Sequence, residues 1–323
     1  MKHVAGFAVI TLLAATLGAE DRPVALAPVE IVASAPAADW VAIAPSDLMV
    51  MDLAPDAKGK PRRVVIQLLP PPFSQGWIGN VRKLAAAHWW DGLAVVRVHD
   101  NYVTQWGDPD GEDKVKAKAL PEGLVTVPQN AYSAPAVGAR LIRDPSRGLL
   151  YGKGLIADQD AYAITQFWRG WPLGRSADIG PAQRNWPVHC YGMVGVGRDY
   201  PPNTGSGAEL YTVIGHAPRQ LDRNIALVGR IIDGMEHMSS LPRGHGDLGF
   251  YDLAKGDERV PIVAVRLAAE VKDLPAYEYL STESRSFAAY ADARANRRDP
   301  FYLRPAGGAD ICNIPVPVRR SKP

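Results

Sequence analysis

Cysteine is almost absent: Cys190 and Cys312 are the only two in 323 residues. That excludes a disulfide-dense scaffold and leaves, at most, one bridge in an oxidising compartment, whose geometry the sequence does not supply. Charge of one sign is lacking as well. Lys and Arg total 36 against 34 Asp and Glu, a net charge of +2, so no strong field exists to recruit nucleic acid. Long apolar runs are missing. The one near the start, Val4 to Leu17, has about fourteen residues against the roughly 20 that a spanning helix needs, which argues against a membrane anchor. No period of the kind that marks a repeat protein is present.

That short apolar run has a different context. Lys2 and His3 precede it, Gly18 and Ala19 close it, and Glu20, Asp21 and Arg22 follow. Basic, apolar and small-residue segments in that order form a secretory signal peptide, residues 1–19, cleaved near Ala19. The expectation is an exported, periplasmic protein with no membrane attachment after cleavage. Residues 20–44, rich in Ala, Pro and Val, read as a flexible lead-in.

Twenty-eight prolines and 30 glycines are spread along the chain, which argues for many short elements joined by turns and against a helical bundle. Leu48 to Leu53 and Val64 to Leu69 read as a strand hairpin. Ile78, Val81, Leu84 and Ala85 recur at helical spacing between Trp77 and His88. Leu93 to Val98 and Tyr102 to Trp106 read as strands about a polar turn. Further strands fall at His189 to Val196, Ala208 to Ile214, Ile225 to Gly229 and Val260 to Leu267, with Val228 to Met238 a strand running into a short helix. Asp158 to Trp168 and Ser284 to Arg297 read as helices. Many strands and few helices suggest a mainly β fold, a barrel or a sandwich.

The segment Val95 to Pro109, VVRVHDNYVTQWGDP, closely resembles the most recognisable stretch of the cyclophilins. Arg97, Tyr102, Val103, Gln105, Gly107 and Asp108 fall at its motif positions without a gap. Asn80 to Gly92 resembles the family's first helix and its exit. Asn203 to Val213 resembles the segment that normally ends Gly-Ser-Gln-Phe-Phe-Ile, and Leu221 to Glu236 the strand and exit that follow. The four occur in family order. The resemblance implies a closed eight-stranded antiparallel barrel capped by two helices, spanning residues 45–273. An insertion at about 112–188 and a C-terminal extension, 274–323, lie outside the family pattern.

The same resemblance implies a peptidyl-prolyl cis–trans isomerase acting on proline-containing polypeptides, with no cofactor and no metal. Arg97 and Gln105 would be its catalytic pair. Tyr102, Val103, Tyr211 and Leu221 would line a proline pocket, and Val194, Gly195 and Glu209 would contact substrate. There are departures: Val194-Gly195 replaces the family's Ala-Asn, Glu209 its Gln, Gln220 an aromatic and Ile225 a His. These motivate a competing reading, a proline-peptide binding module or periplasmic chaperone with little turnover. A third reading places the main function in the insertion and the tail.

Strand alternation constrains the proposed pair. A three-residue loop of His99, Asp100 and Asn101 would pair Arg97 with Val103 and Val95 with Gln105, all four on one face. A two-residue turn would pair Arg97 with Thr104 and send Gln105 away. Both remain open, and the resemblance favours the first. Other chemistry is weaker. Adjacent His189 and Cys190 would point to opposite faces of a strand, which suits a structural or disulfide role better than a nucleophile. His237, His245 and Asp247 are irregularly spaced for a metal site.

Overall fold

The computed structural model describes residues 25–137, 142–144, 148–150, 157–176 and 182–321. The apolar run at residues 4–17 lies outside them. Along the chain, α1 (Pro28–Ser34) and β1 (Trp40–Ala42) precede β2 (Leu48–Leu53), β3 (Arg62–Leu68) and α2 (Gln75–Ala86). β4 (Ala94–Val98) and β5 (Val103–Gly107) form a hairpin. The insertion contributes β6 (Ala134–Pro135), β7 (Ile142–Asp144), β8 (Gly148–Leu150), β9 (Ala157–Gln159), β10 (Ile164–Trp168), β11 (Trp171–Arg175) and β12 (Arg184–Pro187). Then come β13 (Met193–Val196), β14 (Leu210–Val213), β15 (Leu227–Asp233), α3 (Glu236–Ser239) and β16 (Val260–Leu267). β17 (Tyr277–Leu280), α4 (Arg285–Ala295) and β18 (Val318–Arg320) complete the order.

Eight strands close into an antiparallel barrel in the order β13-β14-β5-β4-β16-β2-β3-β15. Closure leaves this sheet without an edge. Its interior is filled by Met49, Met51, Val64, Ile66, Val95, Val98, Trp106, Val194, Val196 and Leu210 among others, all essentially inaccessible. Helix α2 covers one end because Trp77, Ile78, Val81, Leu84 and Ala85 form one apolar stripe. Two of the buried indole N–H groups find acceptors in the loop before β14: Trp77 donates to the Thr204 carbonyl at 2.9 Å and Trp90 to that of Ala208 at 2.7 Å. The second capping helix, α3, is a single turn of four residues.

The insertion builds its own sheet, β6-β12-β11-β10-β9, and β7 pairs with β8. The expected helix over Asp158 to Trp168 is instead the β9–β10 hairpin. Asp160 makes the turn, its Oδ1 accepting the backbone N–H groups of Tyr162 and Ala163 at 2.9 and 3.0 Å. The β-branched and aromatic residues Ile164, Thr165, Phe167 and Trp168 then suit a strand. Arg169 and Gly170, with φ of 46° and 82°, supply the left-handed pair of a tight turn into β11.

The expected flexible lead-in, residues 20–44, is structured from Pro28 onward. Glu30 accepts the N–H of Ala27 to start α1, which packs on α4. β1 joins β17 and β18 in a separate three-stranded sheet, so both flanks of the barrel domain belong to one layer. Trp40, Phe167, Trp171, Trp186, Phe287 and Ile311 share the barrel's apolar cluster, so insertion and tail add to one continuous core. Cys190, just before β13, is bonded to Cys312 in the tail, with Cα atoms 5.0 Å apart and a sequence separation of 122. No helix among the described residues is long and apolar enough to cross a membrane.

A cross-link over so long a loop removes unfolded-state entropy worth about 4–5 kcal/mol on a chain-entropy model. The double substitution Cys190→Ala, Cys312→Ala is therefore expected to lower unfolding free energy by up to that amount and to raise the m-value as the unfolded chain expands, both read from denaturant titrations.

Candidate active site

The β4–β5 hairpin turns through Asp100, Asn101 and Tyr102. His99 N–H donates to the Val103 carbonyl at 2.9 Å, and Asn101 adopts the left-handed conformation, φ 51°, that asparagine tolerates. The register differs from both sequence alternatives. Arg97 lies directly opposite Gln105, and Val98 opposite Thr104. A bulge between Val95 and Arg97 then pairs Val95 with Trp106. Val95 therefore faces the barrel interior, not the face of Arg97, and one extra residue reverses the alternation.

The bulge leaves Arg97 half-buried on the outer face. Its Nε donates to the Leu248 carbonyl at 2.7 Å, Nη1 to Gln105 Oε1 at 3.3 Å, and Nη2 lies 3.0 Å from His99 Nδ1. A guanidinium only donates, so Nδ1 of His99 is the acceptor. Tyr102 and Phe250 flank the cation at 5.5 and 5.3 Å from their ring centroids. Burial pulls the Arg97 pKa down from its usual value, yet an arginine keeps its charge in any such setting. Three of its five N–H groups are thus engaged, and the other two have no partner among the described residues.

Beside the cation, Val103, Tyr211 and Val213 form a buried apolar patch with Tyr102 and Ile225 packed on it. All of these but the fully buried Val213 line an open cavity of about 1230 Å³, which also takes in Leu221, Glu209 and the segments 117–126 and 197–206. The structure thus brings Arg97, Gln105, Tyr102, Val103, Glu209, Tyr211 and Leu221 together. Val194 is not among them: it is fully buried in the barrel core, paired with Thr212. Gly195 sits behind the cavity, opposite Tyr211. A Cβ there would lie 2.3 Å from the Tyr211 hydroxyl, so the tyrosine occupies the room that a side chain would take.

Phe250 and His99 escaped the sequence reading. Phe250 arrives from the 244–250 loop, where nothing but an exposed aromatic beside glycines marked it. His99 was read only as a turn residue, although its two-residue offset from Arg97 already put both on one face.

The chain carries a match to the family model for cyclophilin type peptidyl-prolyl cis-trans isomerase/CLD over residues 77–266, which is more than half its length. The chain belongs to the cyclophilin-type peptidyl-prolyl cis–trans isomerases. Among solved structures, cyclophilin AquaCyp293 from Hirschia baltica matches at a TM-score of 0.62 and 19% identity, over 88% of this chain and 95% of that one. A cyclophilin type peptidyl-prolyl cis-trans isomerase of Cryptosporidium parvum matches at a TM-score of 0.37 and 12% identity, over 68% and 97%. No curated protein matches significantly. At 88% of the chain, the AquaCyp293 match reaches beyond residues 77–266 of the family-model match.

Glu209 also lines this cavity. Its Oε2 accepts Gln105 Nε2 at 2.7 Å, which fixes the amide so that Oε1 faces Arg97. Burial pushes the Glu209 carboxyl up; the Gln105 bond works against this, and the neighbouring Glu112 and Asp108 add to the rise. With the folded value above the ordinary 4.5, the native state binds the extra proton between the two values. Stability supplied by that proton is lost as pH rises through the folded value. Glu209→Gln is expected to remove this loss: the stability difference between wild type and variant should shift against wild type as pH climbs above about 4.5, then level off, in paired denaturant titrations.

Proposed function

We propose that this protein accelerates rotation about X-Pro bonds in exported polypeptides, with Arg97 as the group that stabilises the twisted amide. The observation that carries this reading is a half-buried guanidinium, two of whose N–H groups have no partner among the described residues, beside the apolar patch of Val103, Tyr211 and Val213. Resonance opposes rotation by about 18–20 kcal/mol. A proline ring seated on that patch is held while the bond turns. In the twisted state the prolyl nitrogen regains its lone pair and accepts from the cation. No bond breaks, so neither nucleophile nor metal enters.

One well-placed donor supplies roughly 3–4 kcal/mol, or two to three decades in rate. Millisecond turnover from tens of seconds requires about four decades, near 5–6 kcal/mol. The remainder falls to exclusion of water by the pocket and to Gln105, which steers Arg97. Export is supported by the apolar run Val4 to Leu17 with its basic start, and an oxidising compartment suits the Cys190–Cys312 bond.

One observation favours the binding-module reading. The Gln105 amide nitrogen is held by Glu209, so it is less available to a substrate backbone. A protease-coupled proline-peptide assay separates the two readings. Arg97→Ala is expected to lower kcat/KM by about 10²- to 10³-fold while peptide still binds. Equal rates for wild type and Arg97→Ala would leave a binding module.

A further inference from the structure

Behind the apolar patch lies a buried polar chain. His189 is fully buried between β12 and β13. Its Nε2 lies 2.9 Å from the Tyr211 hydroxyl, and its Nδ1 lies 2.9 Å from Asp222 Oδ1. The same carboxylate oxygen accepts the His189 backbone N–H, also at 2.9 Å. A carboxylate only accepts, so the Nδ1 proton is donated to Asp222, and in the neutral ring Nε2 receives the tyrosine hydroxyl. Imidazole and phenol planes are close to parallel, 12° apart.

The chain continues outward. Asp222 Oδ2 accepts from Arg219 Nε at 2.7 Å, and Arg219 is itself 3% exposed. Arg219 Nη1 reaches Asp160 Oδ2 at 2.5 Å and Asp310 Oδ2 at 3.4 Å. Asp160 makes the turn of the inserted β9–β10 hairpin. Asp310 stands two residues before Cys312, whose disulfide partner Cys190 directly follows His189. Insertion and tail therefore meet at one guanidinium, two hydrogen bonds from the histidine that holds Tyr211.

Packing alone leaves a ring in a shallow patch free to shift, whereas a buried hydroxyl with one acceptor fixes it. Gly195 completes the arrangement by leaving space for that hydroxyl. We propose that His189, held by Asp222 and Arg219, is a positioning residue for the proline pocket, and that through Asp160 and Asp310 the insertion and the C-terminal segment set the pocket's shape. This rests on the placement of proline against Tyr211 argued above.

A positioning role acts on binding through one contact. Tyr211→Phe removes only the hydroxyl, and one lost hydrogen bond corresponds to a rise in KM and in proline-peptide Kd of about 3- to 10-fold. kcat should change less than about twofold, because Arg97 is untouched. His189→Phe should match Tyr211→Phe, His189→Gln, which keeps an acceptor, should lose less, and the double variant should be no worse than either single. Asp160→Asn should raise KM in the same direction. Multiplying losses in the double variant, or a folded Tyr211→Phe with unchanged KM and Kd, overturns the proposal. Should His189→Phe fail to fold, Tyr211→Phe and Asp160→Asn decide by the same criterion. If wild type shows no turnover, the isomerase reading fails, while peptide Kd still judges the pocket.

Discussion

Side chains along a β-strand alternate between two faces, and in a closed barrel one of those faces is a filled apolar interior. Every outward group is therefore fixed by register, and a shift of one residue would exchange inside for outside. The bulge in β4 uses that constraint. Val95 and Val98 point inward, although a regular strand would place residues three apart on opposite faces. The extra residue between Val95 and Arg97 reconciles the two and sets Arg97 opposite Gln105. The cation, its steering amide and the turn beyond them all follow from this one irregularity.

Around that hairpin, polar groups are tied in two separate systems. On the outer side, Glu209 holds Gln105, Gln105 meets Arg97, and Arg97 is braced by His99 and the Leu248 carbonyl. Behind the patch, on the same outer face, Tyr211 leads through His189 and Asp222 to Arg219. Low dielectric makes an unsatisfied group costly in either place, so each system favours one arrangement strongly. The apolar patch lies between them. Polar anchors on both sides hold the aromatic rings that line the pocket in one arrangement.

What was legible in the sequence follows from how local the signal was. The Arg97–Gln105 segment, the α2 stripe and the β14 and β15 strands each carry their pattern within about fifteen residues, and the structure has them in the order expected. The hairpin register was not legible, because a bulge leaves the composition of both strands unchanged. Asp158 to Trp168 misled because helical and strand periods coincide over so short a run, and the decisive feature was the turn made by Asp160. The resemblance puts Val194 with substrate, whereas its side chain is fully buried in a strand paired at Thr212. His189 drew attention for its neighbour in sequence; its partners, Tyr211 and Asp222, are 22 and 33 residues away. Phe250 is farther still from Arg97 along the chain, and only the closed barrel brings them together.

The position of the residues around Arg219 along the chain has a temporal side. Synthesis proceeds from the amino end, so the Arg97–Gln105 hairpin is made early, and Asp160 follows well before Asp222. Asp310 and Cys312 come last. Until residue 312 has emerged, the anchor behind Tyr211 lacks one of its carboxylates and the clasp beside His189 is open. The cation thus precedes the finished floor beneath it, and a nascent chain holds its working arginine before it holds a completed place for proline.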